Sequence, residues 1–226
     1  MLFARKTEPV ALDIGSTFIK LVQLKGSEKN YQLVKFGMIP LPPEVIVEGA
    51  VMDAGRVVEA IKELLAQQKV STKSVVISVS GSSVIIKRVS VADMTDEELA
   101  ESIKWEAEQY IPFSIDDVNV DFQKLGPAAT EGQADVLLVA VKKDKINDYI
   151  NLVKEAGLEP VVMDVDAFAL ANMYELNYEM ESGATALLNI GASVMNINIL
   201  RDGVSIFTRD ITVGGNRYTE ALQRDF

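Results

Sequence analysis

The 226 residues carry 33 Asp and Glu against 22 Lys and Arg, a formal charge of -11 and a pI near 4.6, a balance that disfavours direct contact with nucleic acid or an anionic membrane surface. The chain has neither cysteine nor histidine, which excludes disulfides, thiolate chemistry, Ser-His-Asp catalysis and His-ligated metals; any metal must be a hard cation on oxygen ligands, above all Mg²⁺ with phosphates. Hydrophobic content of 48% is ordinary for a globular protein, and the length admits one large domain or two small ones.

Residues 1–6 are not followed by the apolar run of a secretory signal, and the longest apolar stretches are of strand length, so no segment is expected to span a bilayer. The N-terminus reads as a tail, or as a short amphipathic segment that touches a membrane or a partner. Val10–Ile14, ending at Gly15, and residues 18–24 predict a β-hairpin. A polar turn at 25–30 leads to a third strand at 31–39, and Pro40, Pro42 and Pro43 end the meander. Asp53 is the expected N-cap of a helix to about Gln68, with Val57, Val58, Ile61, Leu64 and Leu65 at helical spacing. Ser74–Val79 is a buried strand that ends in Ser80-Gly81-Ser82.

A second unit opens near Val84 with a strand at 84–91. Thr95 and Glu98 form the capping box of a helix that runs to about Tyr110 and stops before Pro112. Strands at 118–125 and 136–141 should pair across the polar loop 126–133, and a helix at 145–156 should close on Gly157. Then come a strand at 158–165, a helix at 166–178, a hairpin of Ala184–Ile190 with 193–200, a strand at 204–210, and a helix begun at 214. Asp96-Glu97-Glu98 complements a helix dipole, Asp116-Asp117 is a solvated turn, and Lys142-Lys143-Asp144-Lys145 is a solvated helix start.

One repeat stands out. Ala11-Leu12-Asp13-Ile14-Gly15-Ser16 and Leu187-Leu188-Asn189-Ile190-Gly191-Ala192 match in pattern, and each opens a three-stranded meander followed by a helix. Glycine at the tip allows positive φ and close approach of the backbone to a ligand. The N–H groups of Ser16, Thr17 and Phe18 can form an anion nest, and Asp13 at the strand end can hold Mg²⁺ through water. A single copy is most simply a hairpin with a glycine turn. Two copies favour a clamp that grips phosphates from both sides.

The paired motifs resemble phosphate 1 and phosphate 2 of the actin-type ATPases (actin, chaperone ATPases, sugar kinases and FtsA). Within that superfamily, four stretches resemble the PilM family of type IV pilus assembly: the first motif, Trp105-Glu106-Ala107-Glu108-Gln109-Tyr110-Ile111-Pro112-Phe113, Asp164-Val165-Asp166-Ala167-Phe168-Ala169-Leu170, and Arg209-Asp210-Ile211-Thr212-Val213-Gly214-Gly215. The resemblance covers essentially the whole chain. It implies an α/β, actin-like (ribonuclease H-like) mixed sheet with helices. Residues 1–83 would form the first part of subdomain 1A, 84–159 an inserted FtsA-type subdomain 1C, 160–183 the return to 1A, and 184–226 the start of subdomain 2A. The second lobe is expected to be truncated, because the rest of 2A, subdomain 2B and the glycine-rich adenosine loop do not follow.

The resemblance further implies ATP and Mg²⁺ as cofactors. Asp13, Gly15, Ser16, Thr17 and Phe18 match phosphate 1, with Asp13 facing Mg²⁺ through water. Asn189, Gly191, Ala192 and Ser193 match phosphate 2. Gly214, Gly215 and Asn216 match the turn into the 2A helix, whose N-terminus favours phosphate. Asn189 stands where many members have an acid, and Asn172 lies near the place of a water-orienting Gln or Glu. No catalytic residue is assigned, and ATP binding with weak or no hydrolysis is expected. In the family, the N-terminal cytoplasmic tail of the membrane protein PilN docks between 1A and 1C. PilO and PilP are reached indirectly, and the pilus motor ATPases and the PilC platform protein are further partners. The implied place is the cytoplasm, peripheral to the inner membrane, and the implied role is an ATP-binding adaptor of pilus assembly and twitching motility. The alternatives are an active actin-like ATPase or kinase, or a filament former like FtsA. Trp105, Tyr110, Ile111 and Phe113 are either an aromatic wall for the PilN tail or core packing.

Overall fold

Val10, Leu12 and Ile14 alternate with exposed neighbours and are all buried, so strand β1 (Val10–Ile14) turns one face to the core. The computed structural model describes residues 8–27, 30–47, 49–179 and 182–226. The reading of residues 1–6 as a tail, and residues 28–29 of the polar turn, lie outside them. On one side β1 pairs antiparallel with β2 (Phe18–Lys25), which pairs with β3 (Gln32–Pro40). On the other side β1 pairs parallel with β6 (Ser74–Val79), and β6 with β10 (Glu159–Val165). The five-stranded sheet therefore runs β10-β6-β1-β2-β3. The short strands β4 (Ile46–Val47) and β5 (Ala50–Val51) form a ribbon beyond β3.

Helix α1 (Ala54–Gln67) is capped as expected: the Asp53 carboxylate accepts the Arg56 N–H at 3.0 Å. Its stripe of Val57, Val58, Ile61 and Leu64 is buried with the sheet's inner face. Helix α3 (Lys143–Glu155) lies beside α1 and adds Tyr149, Leu152 and Val153 to the same core.

The unit from Val84 onward has its own sheet, in the order β7-β9-β8: β7 (Val84–Ala92), β9 (Gln133–Lys142) and β8 (Val118–Pro127). Helix α2 (Asp96–Glu108) buries Leu99, Ile103 and Ala107 in a second core. Its capping box is complete: Thr95 N–H donates to Glu98 at 2.9 Å, and Glu98 N–H donates to the Thr95 hydroxyl at 3.3 Å. Ile111 is buried in this core and Tyr110 and Phe113 pack against it, whereas Trp105 is 77% exposed. Strands β8 and β9 run longer than expected and shorten the loop between them. Strand β9 passes into α3 without a linker, so α3 begins at Lys143 and not at 145. Gly157, at φ +88°, closes α3.

Helix α4 (Asp166–Asn177) touches both β10 and the last sheet, an antiparallel meander of β11 (Ala184–Ile190), β12 (Met195–Arg201) and β13 (Val204–Ile211). Helix α5 (Gly215–Asp225) follows. The repeat read in the sequence is thus a repeat of fold. Strand β12 starts at Met195, two residues later than expected, because residues 191–194 are spent on the hairpin tip. Among the described residues no helix is long and apolar enough to cross a membrane.

Leu64 is 0% exposed in the main core. Leu64→Ala should cost about 2–5 kcal/mol in urea denaturation, whereas Trp105→Ala should stay within about 0.5 kcal/mol of the parent.

Candidate functional site

The two glycine hairpins close in the same way. Gly15 N–H donates to the Phe18 carbonyl at 3.1 Å, and Gly191 N–H to the Val194 carbonyl at 3.0 Å. Neither glycine has positive φ, contrary to the expectation from sequence. What each requires is the absence of Cβ, which would stand 3.0 Å from the Phe18 oxygen at Gly15 and 2.8 Å from the Val194 oxygen at Gly191. The tips face each other, with the hydroxyls of Ser16 and Ser193 2.9 Å apart. The N–H groups of Ser16, Thr17, Ala192 and Ser193 donate to no protein acceptor among the described residues. Between the hairpins lies a cavity of about 260 Å³ whose walls include Asp13, Gly15, Ser16, Thr17, Phe18, Asn189, Gly191, Ala192 and Ser193. Nine of the twelve candidate residues therefore meet in one place.

The other three stand behind it. Gly215 N–H donates to the Gly191 carbonyl at 2.9 Å, and Asn216 N–H to the Ala192 carbonyl at 2.8 Å. These first donors of α5 are thus engaged by the second hairpin, which the helix braces. A Cβ on Gly214 would sit 2.5 Å from the Gly191 oxygen, so helix and hairpin meet backbone to backbone. Gly214 and Asn216 line an adjoining cavity of about 560 Å³ that shares Ser16, Thr17, Ala192 and Ser193 with the first.

Strand register explains how the hairpins differ. Asp13 lies opposite Lys20, and the two form an ion pair at 2.8 Å. The equivalent pair in the second hairpin is Asn189 opposite Asn196, joined amide to amide at 3.0 Å. Asn196 also lies opposite Asp210 on β13 and donates to its carboxylate at 2.7 Å. The other Asp210 oxygen accepts the N–H of Gly81, in the turn after β6. One carboxylate thus ties the second sheet to the first. A carboxylate can only accept, so it turns the Asn196 NH₂ toward itself, and the Asn196 carbonyl in turn receives the Asn189 NH₂. Asn198, 0% exposed, makes a further tie by donating to the Ala167 carbonyl at 2.7 Å.

Further cavity residues were not singled out from the sequence. Lys145 is not part of a solvated helix start. Its ammonium donates to the Gly49 carbonyl, lies 3.4 Å from the Tyr149 hydroxyl, and stands 4.5 Å from the centre of the Tyr149 ring. Burial holds its pKa below the usual lysine range. Tyr149, buried beside it, is pushed up to about 12 by burial, with Asp166, Asp13 and Asp148 adding to the effect. The signal was present in the spacing: Lys145, Tyr149, Leu152 and Val153 fall on one face of α3. Asn172 is exposed and absent from the cavity wall, and the side chain that α4 offers there is Asp166, its first residue. Among the described residues no group of three or more His, Cys, Asp or Glu is placed to hold a metal ion, so a metal here would rely on waters and phosphate oxygens as well as Asp13 or Asp166.

A second cleft, about 710 Å³, lies between the two units. Its walls are the run Val118–Gln123 of β8, Met163, Asp164 and Val165 of β10, Phe168 of α4, and Lys143 and Ile146 of α3. Strands β8 and β10 are both sheet edges, each with a single neighbour. None of Trp105, Tyr110, Ile111 or Phe113 lines this cleft; of the two readings offered for them, core packing holds for Tyr110, Ile111 and Phe113. Burial raises the Asp164 pKa above the usual carboxylate range.

A family model described as type IV pilus assembly protein PilM matches residues 11–226. The chain belongs to the PilM family. A solved chain of a PilM-PilN type IV pilus biogenesis complex is 33% identical at a TM-score of 0.84, with 97% of this chain and 66% of that one covered. The chain therefore spans 66% of that relative's length. The cytoplasmic domain of EpsL, an inner membrane component of the type II secretion system of Vibrio cholerae, matches at 15% identity and TM-score 0.57, over 95% of this chain and 74% of that one. The ethanolamine utilization protein EutJ of Carboxydothermus hydrogenoformans matches at 16% and 0.54, over 96% and 56%. The fold is the mixed α/β fold of actin-like ATPases.

Replacing the Asp210 carboxylate by an amide sets an NH₂ against one of the two donors, Gly81 N–H or Asn196 NH₂, and leaves an acceptor for the other. Asp210→Asn should cost about 1–3 kcal/mol in urea denaturation.

Proposed function

We propose that this chain is an ATP-binding adaptor of type IV pilus assembly that docks the N-terminal cytoplasmic tail of PilN, and so lies at the inner membrane as a peripheral, cytoplasmic component. The observation that carries the nucleotide reading is the opposed pair of hairpins, with unengaged N–H groups at both tips and their serine hydroxyls 2.9 Å apart. These donors suit phosphate oxygens. Asp13 and Asp166 suit the water shell of Mg²⁺, and Lys145 adds a cation to the same cavity. Bound ATP would supply the negative charge that this set of donors lacks.

Slow turnover follows from the same residues. Asn189 cannot act as a base, and in this reading Asp13 is taken up with the water shell of Mg²⁺. Asp166 alone among the cavity carboxylates of the described residues has no ion-pair partner, which favours a residual ATPase activity as the second reading.

The partner reading rests on the second cleft. Two sheet edges and the Phe168 ring bound it, and an extended peptide adds to an exposed edge through main-chain hydrogen bonds while its side chains fill pockets. The relative of known structure is itself described as a PilM-PilN complex. In this reading 184–226 begin 2A and the rest of the chain up to 183 is 1A with 1C inserted, but of the expected 1C residues 84–159 those of α3 pack in the core of 1A, so 1C is the unit of β7, α2, β8 and β9. Contacts with PilO, PilP, the motor ATPases and PilC would follow from placement beside PilN.

Calorimetry on the full-length protein tests both halves. Gly191→Val should weaken ATP binding by about tenfold or more, because its side chain meets the Val194 carbonyl, and leave the affinity for a synthetic PilN tail unchanged. Phe168→Glu should do the reverse. A parent protein that binds neither ATP nor the tail refutes the proposal.

A further inference from the structure

Lys145 is the feature of the cleft that the hairpins do not account for. Lys145 is partly buried, yet among the described residues its ammonium forms no ion pair and is satisfied only by a carbonyl and a phenol oxygen. A partly buried cation is stable when an anion completes its surroundings, and among the described residues no carboxylate bonds to it. Asp166 and Asp148 act on it only through space.

The position of this cation is specific. The serine pair divides the clamp into two cavities. The outer one, about 560 Å³, is walled by Pro43, Glu44 and Arg217 as well as the hairpin tips. The inner one, about 260 Å³, is lined by Val79 and Tyr149 and by Lys145 with Asp13 and Asp166. A nucleoside needs the larger space, so the end of a phosphate chain belongs in the smaller.

We propose that Lys145 is the ligand of the terminal phosphate of a nucleoside triphosphate and makes the cleft prefer the triphosphate to the diphosphate. The proposal rests on the nucleotide reading above and deepens it. On binding, the ammonium exchanges the Gly49 carbonyl for a phosphate oxygen, a charge-assisted contact that a diphosphate, one phosphate shorter, does not offer. The lysine stem keeps its place on the Tyr149 ring.

The test is calorimetric titration of full-length parent, Lys145→Met and Lys145→Arg proteins with Mg·ATP and Mg·ADP, with melting curves to confirm folding. Methionine keeps the stem and removes the charge. Lys145→Met should weaken ATP roughly ten- to a hundredfold and leave ADP within about threefold, and Lys145→Arg should recover part of the ATP affinity. Equal losses for both nucleotides, no loss for either, or a parent that does not favour ATP over ADP overturns the proposal while leaving the phosphate cleft in place. A parent that binds neither nucleotide removes the cleft reading and this proposal together. Should Lys145→Met fail to melt cooperatively, the Arg variant decides: an ATP preference kept at least in part supports the charge, and a preference lost despite it refutes the role.

Discussion

The structure depends on the Asp210 carboxylate. It lies between two sheets that otherwise meet through few polar contacts, and it accepts from both: from the turn after β6 through Gly81, and from β12 through Asn196. An unshared carboxylate at such a junction would be costly. Shared between two donors, it fixes how far apart the sheets stand, and with that the separation of the two hairpin tips. The Ser16–Ser193 contact is the visible result. The donor order along Asp210, Asn196 and Asn189 then runs outward from the one group that can only accept.

The two halves of the clamp carry the same backbone with different electrostatics. In the first hairpin the cross-strand row is Asp13 and Lys20, a half-exposed pair whose attraction is weakened by water. In the second it is a chain of amides ending on a carboxylate. The first row is free to respond to a metal or an anion, because an exposed ion pair is worth little and is easily exchanged. The second is held by partners on three strands. The two hairpins thus differ in how many partners hold their cross-strand rows.

Much of this was legible in the sequence, and the failures have physical causes. The meanders, the Asp53 cap and the Thr95–Glu98 box follow local rules that tertiary contacts did not override. The hairpin glycines were recognised, but positive φ is not what they supply; crowding by a carbonyl three residues away leaves no trace in composition. Strand β12 is the clearest reversal: it alternates Asn196, Ile197, Asn198 and Ile199, and it is the asparagines that are buried, at 5% and 0% exposure. Their partners, Asp210 and the Ala167 carbonyl, come from elsewhere in the chain. Lys145 was hidden likewise among three other charged residues, and only the packing of α3 against α1 shows which of them faces inward.

The first turn of α3 is a party wall. On one side Lys145, with Tyr149 one turn further on, faces the cavity between the hairpins; on the other Lys143 and Ile146 face the larger cleft between the sheet edges. A helix turn moves as a unit, because its hydrogen bonds resist internal shear. A ligand in either space that gains contact energy by displacing that turn reshapes the other space by the same displacement. The resulting free-energy coupling is reciprocal: whatever one occupant does to the hold on the other is returned in equal measure.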